Sequence, residues 1–522
     1  MKELKLEEMT LEQKIGQLFC LRWLWSEQDI DDVCEALSKG ALGGIQVKWK
    51  DWFGHKPQEV IARFREAADY NVLICADMEQ GFPGGTVHLP NQMAISYAGE
   101  EEMAYEFAKI TAIEAKNAGY SVVWGPVVDV GREGKSCTNA RSFGNLEATK
   151  RCCISMLRGY QDQGMIGAMK HFPGSGKGAA GDSHMLPTVS ESDLEDLMNV
   201  DMQPYFAAIE SGDLACIMTT HRIHQKVDDK ASTMSPKILG IIREKGFDGL
   251  IFSDSLAMMA IESIYGKKDS LGLAIAAGVD MVLPDFFLSY RECHDALMEA
   301  YRKGVFSEER LNDAVRHVLA AQKRTMAAPT QTELTEKQKA FADELSAKSL
   351  CAIVKEGVEA KLNPDTKKLF VLLHETNPSK SVSLELDDHR GYLKSQVESK
   401  ARLIREAFPD AEVMLLNEFP NNAENIKVLS ACAEADEVIF FTFCTSTNHQ
   451  GSNNLTRRMQ SVLKACMYKM SAIVHMGNPY EMRPFLDAPR IFLGLIGSDS
   501  ERYAIKALKG EFIPTGKAPT DL

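Results

Sequence analysis

One segment of this 522-residue chain concentrates side chains that could carry a proton. It reads KHFPGSGKGAAGDSHMLP, from Lys170 to Pro187, and its far end places Asp182 two residues before His184. A carboxylate at that spacing can accept a hydrogen bond from one imidazole nitrogen, which fixes the tautomer and leaves the other nitrogen to handle a proton. The pattern Asp-x-His is short and also occurs in surface turns, so by itself it predicts proton transfer only weakly.

The near end of the same segment carries two more candidates, Lys170 and His171. Both lie at the end of an apolar run, IGAMKHF, which predicts a buried strand. If such strands form a parallel barrel, the last side chains of each strand reach the mouth of that barrel. Four glycines follow before Asp182, and they allow the sharp bends of a lid-like loop. A nucleotide-binding loop is excluded because Lys177 is followed by Gly178, where that motif needs serine or threonine.

A further candidate is Asp254, which directly follows the apolar stretch GLIFS. A carboxylate at the end of a buried strand can act as a nucleophile or stabilise a developing cation. The structural alternative is the N-cap of a helix, a position that aspartate often occupies.

His221 and His224 are the pair that could begin a metal site, because they lie three residues apart in TTHRIH. No cluster of cysteine or glutamate accompanies them, and the twelve cysteines are scattered without a C-x-x-C pair. We therefore expect no metal and no cofactor, and we expect the thiols to be reduced.

These candidates need elements that bring them together, and the first 320 residues alternate between apolar runs and amphipathic segments. Eight buried runs separated by helical patterns predict a (β/α)8 TIM-like barrel, whose active site lies at the carboxyl ends of its strands. The runs cover residues 15–21, 43–47, 72–77, 121–129, 166–172, 214–221, 249–254 and 277–285. Polar residues end six of them, namely Asp77, Asp129, His171, His221, Asp254 and Asp285. Six such endings together favour an active site over six separate helix caps.

The alternation is interrupted after residue 325, and the sequence predicts a second domain beyond that point. A polar stretch, TMAAPTQTELTEKQ, leads into a helical pattern, so residues 326–348 are interpreted as a linker and helix. Six shorter apolar runs follow, at 351–354, 369–373, 411–416, 437–443, 471–477 and 491–497. Six strands are too few for a barrel and predict an open α/β sandwich domain over 349–522, next to a catalytic barrel over 1–325.

The composition is that of an ordinary globular protein, with 45% hydrophobic and 25% charged residues. A net charge of −14, with both signs interleaved along the chain, argues against nucleic acid or an anionic membrane as a partner. The start lacks an apolar signal core and no run of about 18 apolar residues occurs, so we expect a cytoplasmic protein. A homodimer is a candidate assembly.

Longer motifs lie in one order along the chain: EQKIGQLF (12–19), ADMEQG (76–81), GPVVDV (125–130), RSFG (141–144), KHFPG with DSH and LP, and GLIFSDSLAM (249–258). Together they resemble glycoside hydrolase family 3, in particular its bacterial β-N-acetylglucosaminidases. The second half, ending GNPYEMRPF…FIPTGKAP, is similar to the C-terminal sandwich domain of the longer members.

The resemblance implies a role for each matching residue. Asp254 falls on the catalytic nucleophile, which forms a covalent glycosyl-enzyme intermediate, while His184 and Asp182 fall on a His-Asp acid/base dyad. The implied sugar-binding residues are Asp77, Arg141, Lys170 and His171. The implied partner is a small carbohydrate, an N-acetylhexosamine glycoside.

Two departures from the family pattern bear on the site. The loop usually reads GHG after its proline, whereas here Gly174-Ser175-Gly176 follows, and the path to Asp182 is one residue longer. The family also commonly carries D-x-E-G-G-R-V-x-R after the third strand, but this chain has no arginine between Asp77 and Arg132. The sugar contact of the missing arginine is lost or supplied elsewhere, which leaves the choice between N-acetylglucosamine and N-acetylgalactosamine open.

The leading interpretation is a retaining exo-β-N-acetylhexosaminidase that acts on recycled cell-wall fragments or chitin oligosaccharides. A phosphorylase is the first alternative, since a neutral imidazole repels an anionic acceptor less than a carboxylate would. A family 3 β-glucosidase is the second, and the Asp182–His184 pair speaks against it. A non-catalytic sugar-binding protein is the third, and the retention of Asp254 beside that pair argues against it.

Overall fold

The computed structural model describes residues 2–22, 24–49, 54–132, 138–178, 181–374, 389–417, 419–444, 455–497, 499–519 and 522. The chain divides into two compact units. The first comprises Met1–His88, Glu101–Arg132 and Asn145–Lys339, and the second comprises Leu89–Glu100, Glu133–Gly144 and Ala340–Leu522.

The first unit is built around one sheet of parallel strands. Its eight strands, in spatial order, are β1 (Cys20–Leu21), β2 (Gly44–Gln46), β3 (Leu73–Asp77), β4 (Val122–Trp124), β5 (Ile166–Phe172), β7 (Cys216–Thr219), β9 (Leu250–Ser255) and β10 (Met281–Leu283). Two further short strands, β6 (Val189–Ser190) and β8 (Ile223–His224), pair with each other in a separate parallel sheet.

The last strand returns to the first. The Val282 N–H donates to the carbonyl of Leu18 at 2.8 Å, and Phe19 forms a parallel bridge with Val282. This pairing joins β10 to the chain at β1, so the sheet curls into a nearly closed barrel. The predicted barrel is confirmed.

Helices lie between the strands. They are α1 (Leu11–Gln17), α2 (Glu27–Ser38), α3 (Pro57–Ala67), α4 (Met93–Ala98), α5 (Glu101–Asn117), α6 (Leu146–Gln161), α7 (Leu194–Asp196), α8 (Gln203–Glu210), α9 (Pro236–Glu244), α10 (Met259–Tyr265), α11 (Asp269–Ala277), α12 (Tyr290–Arg302), α13 (Glu308–Arg324) and α14 (Glu336–Lys339). A π-helical turn (Leu197–Asp201) joins α7 to α8, and α4 belongs to the second unit.

The first predicted strand is partly wrong. Residues 15–17 end α1, and only Cys20–Leu21 of the run 15–21 belongs to a strand. The reason is a capping box, in which the Gln13 N–H donates to the Thr10 hydroxyl and the Thr10 N–H donates to the Gln13 side chain at 2.8 Å. The cap fixes the start of the helix at Leu11, six residues before Gln17, and the buried residues Ile15 to Gln17 then belong to its end.

The barrel interior is filled by side chains rather than open. Trp124 on β4 and Phe252 on β9 are buried there and meet edge to face, with ring centroids 6.3 Å apart. The same cluster includes Leu73, Cys75, Val122, Ile166, Met218 and Leu250. Because this core occupies the middle, polar side chains can gather only at the ends of the strands.

The second unit contains a mixed six-stranded sheet. Its strands are β11 (Cys351–Val354), β12 (Lys368–His374), β13 (Glu412–Asn417), β14 (Glu437–Cys444), β15 (Met470–Gly477) and β16 (Arg490–Gly494). They lie in the order β11-β16-β15-β14-β12-β13, and only the edge strand β11 is antiparallel to its neighbour. Besides α4, the helices are α15 (Phe341–Ser349), α16 (His389–Ala407), α17 (Asn422–Glu434), α18 (Arg457–Ala465) and α19 (Ser500–Lys509).

This sheet matches the expected open α/β domain, with one strand at each of the six predicted runs. Its core joins Phe370, Phe441, Val474 and Phe492 to apolar residues of the flanking helices. Within the described part of the chain, no helix is both long enough and apolar enough to cross a membrane.

A pair of helical glycines tests the packing that positions β1. A Cβ added at Gly16 in α1 would lie 1.9 Å from the carbonyl oxygen of Ala41, whereas one added at Gly240 in α9 would meet nothing within 4 Å. We expect Gly16→Ala to lower the free energy of unfolding by about 1 to 3 kcal/mol through overpacking. We expect Gly240→Ala to leave the free energy unchanged or raise it by up to about 1 kcal/mol, since alanine favours the helix. Thermal unfolding of both variants measures the difference, and equal shifts in Tm would contradict it.

Candidate active site

The polar strand ends predicted from the sequence lie at one end of the barrel. Asp77 is the last residue of β3, Lys170 and His171 lie near the end of β5, and Asp254 is the penultimate residue of β9. Parallel strands end on the same side of a barrel, so these side chains share its mouth. The N-cap alternative for Asp254 is wrong, because α10 begins only at Met259.

Asp254 is an ionised carboxylate in a mostly buried position. Its Oδ1 accepts the Ser255 N–H at 2.7 Å, and its Oδ2 lies 3.8 Å from His171 Nε2. Burial raises the pKa of this carboxyl, but the neighbouring His171, His221 and His184 outweigh that effect and bring the pKa down to about 2. At neutral pH the group therefore carries the negative charge that a nucleophile needs.

His171 lies between two carboxylates. Its Nδ1 is 2.8 Å from Oδ2 of the buried Asp129, and its other nitrogen faces Asp254. Ser175, the residue that departs from the family pattern, donates its hydroxyl to the other oxygen of Asp129 at 3.2 Å. The serine therefore supports the carboxylate that orients His171.

His184 and Asp182 are joined by a hydrogen bond, and their role as an acid/base dyad stays a prediction. Oδ1 of Asp182 lies 2.7 Å from His184 Nδ1, and the same oxygen accepts the backbone N–H of His184 at 2.9 Å. One oxygen atom thus holds both the ring and the backbone of the histidine. Of the two ring nitrogens, Nε2 is the one that does not face Asp182.

Lys170 joins two acidic side chains at the mouth. Its Nζ lies 2.7 Å from Asp77 Oδ1 and 2.8 Å from Glu79 Oε1, and only 3% of the lysine side chain is exposed. Asp77 is the more open partner. Sequence reasoning missed Glu79, which follows β3 by two residues and lies inside the motif ADMEQG.

Arg22 is the second residue that sequence reasoning missed. Its Nη1 donates to the hydroxyl of Ser255, beside Asp254, and its Nε donates to Gln46 Oε1 at 2.9 Å. The Phe286 ring covers the guanidinium, with its centroid 3.8 Å from Cζ. Burial lowers the pKa of Arg22 to about 10, although Asp77 and Asp254 act against that decrease. The sequence signal that could have identified Arg22 is its position directly after the first apolar run, 15–21.

Of the two histidines considered for a metal, His221 is held by other groups. His221 uses both ring nitrogens, one with the Thr233 hydroxyl and one with the Ser255 carbonyl, each at 2.8 Å. Burial lowers the pKa of His224 to about 3. In the described residues, metal-like spacing occurs at Asp280, Asp313 and His317. Arg243 and Arg310 form ion pairs with Asp280 there. Because these cations already balance its charge, a metal ion is disfavoured at this position.

Two further residues considered in the sequence analysis, Asp285 and Arg141, lie in different units of the chain. Asp285, which follows β10, pairs with Lys267 at 3.2 Å and accepts the Phe287 N–H at 2.8 Å, so it organises the loop after that strand. Arg141 ends a 3₁₀ turn (Asn139–Arg141) in the second unit. Its role in binding sugar stays a prediction.

The Gly-rich loop is held in place near both ends. The Gly176 N–H donates to Asp201 Oδ1 at 3.0 Å, and the Lys177 N–H donates to the Ser192 hydroxyl at 2.8 Å. Gly176 has a φ of +67°, and a Cβ there would lie 2.1 Å from the Ser190 hydroxyl, so the position needs glycine. Farther along, the Ala260 N–H donates to the carbonyl of Ser183 at 3.1 Å. The expected motion of this loop as a lid stays a prediction. Such a motion would have to break the hydrogen bonds of Gly176, Lys177 and Ser183.

Asp201 gives the loop anchor a pH dependence. Burial raises the pKa of its carboxyl to about 6, although Arg132, 3.4 Å away, acts to lower it. The folded state thus binds this proton more tightly than the unfolded chain does, so the contribution of Asp201 to stability falls as the pH rises. Asp201→Asn removes the titration but keeps an oxygen for the Gly176 N–H. We expect the unfolding free energy of the wild type, relative to the variant, to fall by on the order of 2 kcal/mol between about pH 4 and pH 7.

Thermal unfolding of both proteins across that pH range checks this expectation. The exposed Asp487 provides a control, and Asp487→Asn should give a difference from the wild type without this trend. A difference between wild type and Asp201→Asn that stays constant with pH would refute the role assigned to the buried carboxyl.

Comparison with known proteins identifies the family. Residues 10–321 match the N-terminal domain of glycosyl hydrolase family 3. A beta-N-acetylglucosaminidase/beta-glucosidase of Cellulomonas fimi is 28% identical over 335 residues, which span 60% of this chain and 58% of that protein. A beta-hexosaminidase of Stenotrophomonas maltophilia is 30% identical over 277 residues, which span 50% of this chain and 79% of that protein.

The fold of the whole chain has a counterpart among solved structures. A glycoside hydrolase family 3 beta-N-acetylglucosaminidase from Paenibacillus sp. superposes with a TM-score of 0.81 at 23% identity, covering 98% of this chain and 99% of that one. At that identity the likeness concerns the fold alone. Since the family match covers more than half of the sequence, the chain belongs to glycosyl hydrolase family 3.

Proposed function

We propose that the protein is a retaining exo-β-N-acetylhexosaminidase that releases terminal N-acetylglucosamine-type sugars. The observation that carries the proposal is the ionised, mostly buried Asp254 at the same barrel mouth as a histidine fixed by its own carboxylate, Asp182. This pair of groups supplies a nucleophile and a proton donor, which are the two parts that a retaining glycosidase needs. The names of the two sequence relatives support the choice of sugar.

In the first step, Asp254 attacks the anomeric carbon and the bond to the leaving oxygen breaks. His184, starting as the imidazolium, gives its Nε2 proton to that oxygen, so the aglycone departs as a neutral alcohol. The charge of the developing oxocarbenium ion is stabilised by the Asp254 carboxylate. The products of this step are the covalent glycosyl-enzyme, a neutral imidazole and the released alcohol.

In the second step, the neutral His184 accepts a proton from water as the water oxygen attacks the anomeric carbon. The bond to Asp254 breaks, which restores its carboxylate, and the imidazolium is regenerated. Because an imidazole changes its protonation between about pH 5 and pH 8, one ring can serve as acid and then as base near neutrality.

Sugar binding is assigned to the polar groups around this pair. Lys170 holds Asp77 in position, and the exposed carboxylate of Asp77 is suited to accept hydrogen bonds from sugar hydroxyls. Arg22 offers a cation at the same mouth and electrostatically close to Asp77, in a chain that lacks an arginine directly after that strand. His171 lies next to the nucleophile, and Arg141 is assigned to the sugar on the family pattern alone.

The choice of sugar and acceptor is tested with p-nitrophenyl β-glycosides. We expect the N-acetylglucosaminide to be cleaved faster than the glucoside, and an N-acetylgalactosaminide measures tolerance at the carbon where the two amino sugars differ. Each substrate is incubated with and without phosphate, and the products are separated. Free N-acetylglucosamine in both conditions supports hydrolysis, while sugar 1-phosphate in the phosphate arm would favour the phosphorylase. Preference for the glucoside would contradict the proposal.

The roles of the two catalytic residues are tested by substitution. Asp254→Ala should lower kcat/KM by about 10³-fold or more on every substrate, since no carboxylate remains to form the intermediate. His184→Ala should lower kcat/KM about 10²-fold or more on alkyl glycosides but much less on nitrophenyl glycosides, whose leaving groups need little protonation.

Two residues that are not part of the candidate site serve as controls, because Asp487→Ala and His294→Ala remove the same side-chain types; Asp487 is exposed and His294, on α12, is half-buried. Both control variants should keep wild-type rates. An equal loss for all leaving groups in His184→Ala would exclude the acid role, and an active Asp254→Ala would exclude the covalent mechanism.

A further inference from the structure

Three apolar side chains are exposed around the dyad of the candidate site. Met185 and Leu186 directly follow His184, and Met259 begins α10, five residues after Asp254. Their exposed fractions are 49%, 48% and 45%, in a chain that buries most of its large apolar residues. We call these three residues the rim patch.

The members of the rim patch come from two chain segments that are joined by backbone hydrogen bonds. The Met259 N–H donates to the carbonyl of His184 at 3.4 Å, and the Ala260 N–H donates to the carbonyl of Ser183. The turn itself is closed by the N–H groups of Met185 and Leu186, which both donate to the carbonyl of Asp182, at 2.9 and 3.2 Å. The patch is therefore a defined feature around the histidine, and not a set of unrelated surface residues.

If His184 is the proton donor, its position determines which part of the substrate lies beside it. If His184 protonates the leaving oxygen, its Nε2 must lie within hydrogen-bond reach of that oxygen when the bond breaks. The atoms of the leaving group continue outward from the same oxygen. Exposed side chains that neighbour the donor would then border the leaving group rather than the sugar that is retained on Asp254.

The chemistry of the rim patch limits what it can border favourably. Methionine and leucine side chains offer no strong hydrogen-bond donor or acceptor, so a second sugar ring pressed against them would lose water from its hydroxyls without replacement. An alkyl or aryl group would instead bury apolar surface. Methionine is also unbranched and adaptable, which suits a surface that meets leaving groups of different shapes.

We propose that the rim patch of Met185, Leu186 and Met259 is a binding surface for an apolar leaving group, so that the preferred substrates are alkyl or aryl glycosides. This inference rests on the proposed function, because it takes His184 as the proton donor. It adds to that function the chemical class of the group on the other side of the cleaved bond.

A homologous series of alkyl β-N-acetylglucosaminides tests the surface. The methyl, butyl and hexyl glycosides release alcohols of nearly equal acidity, so the chemical step stays comparable while the apolar length changes. We expect kcat/KM of the wild type to rise about tenfold from the methyl to the hexyl glycoside, mainly through a lower KM. In the double variant Met185→Gln with Met259→Gln, the values for the longer glycosides should fall toward the methyl value.

Two further variants separate apolar contact from general effects on the fold. Met185→Leu keeps an apolar side chain and should retain the rise with chain length. Met326→Gln replaces a methionine of similar exposure, 42%, that lies after α13 and outside the patch, and should behave as the wild type. Released sugar is measured in each case, and sedimentation velocity gives the assembly state of each protein.

The outcomes distinguish the two levels of the proposal. A wild type that cleaves nitrophenyl N-acetylglucosaminide but shows no dependence on alkyl length overturns the rim patch and leaves the proposed function standing. A wild type inactive on every glycoside overturns both. An increase of kcat/KM with alkyl length that persists in the double variant also overturns the patch. So does a double variant that changes from dimer to monomer without any effect of alkyl length. That result would make the patch an interface between copies of the chain.

Discussion

The candidate site depends on keeping one carboxylate charged in a place that excludes most water. Burial alone would favour the protonated form of Asp254, and a protonated carboxyl cannot attack an anomeric carbon. Three histidines reverse that tendency by their electrostatic effect on the carboxylate. They come from the end of β5, from the loop after it and from the chain after β7, so the charge of one residue depends on the correct closure of half the barrel.

The need to keep Asp254 charged also explains the contacts that surround the histidines. Each histidine near Asp254 is oriented by another group: His171 by Asp129, His184 by Asp182, and His221 by Thr233 and a backbone carbonyl. Ser255 links these contacts to Arg22, whose Nη1 donates to its hydroxyl and which places a cation near Asp254. The mouth thus alternates acidic and basic side chains, and a substrate with many hydroxyl groups finds both donors and acceptors there.

The sequence predicted the parts of this arrangement that follow from strand ends. Buried apolar runs mark parallel strands, and a charged residue at the end of such a run has only the barrel mouth to occupy, so Asp77, His171 and Asp254 were predicted from pattern alone. Arg22 and Glu79 were missed for opposite reasons. The strand before Arg22 is only two residues long, so the apolar run gave little indication of where it ends, and Glu79 lies past the end of its strand.

The path of the Gly-rich loop was beyond reach of the sequence for a different reason. Glycines predict that a chain can bend, but not which distant group will hold the bend. Here that group is Asp201, a carboxylate 25 positions after Gly176, whose burial could not be read from the local sequence. The pairing of β6 with β8 is likewise a long-range contact between two-residue strands that carry no recognisable pattern.

The double use of a single oxygen of Asp182 has a mechanical consequence. Because that atom binds both the ring and the backbone of His184, turning the imidazole about its side-chain bonds breaks its hydrogen bond to Asp182. If this turn moves, His184 therefore moves with it, and so do Met185 and Leu186. Under the proposed mechanism, a leaving group bound to Met185 and Leu186 would therefore also orient the imidazole that donates the proton.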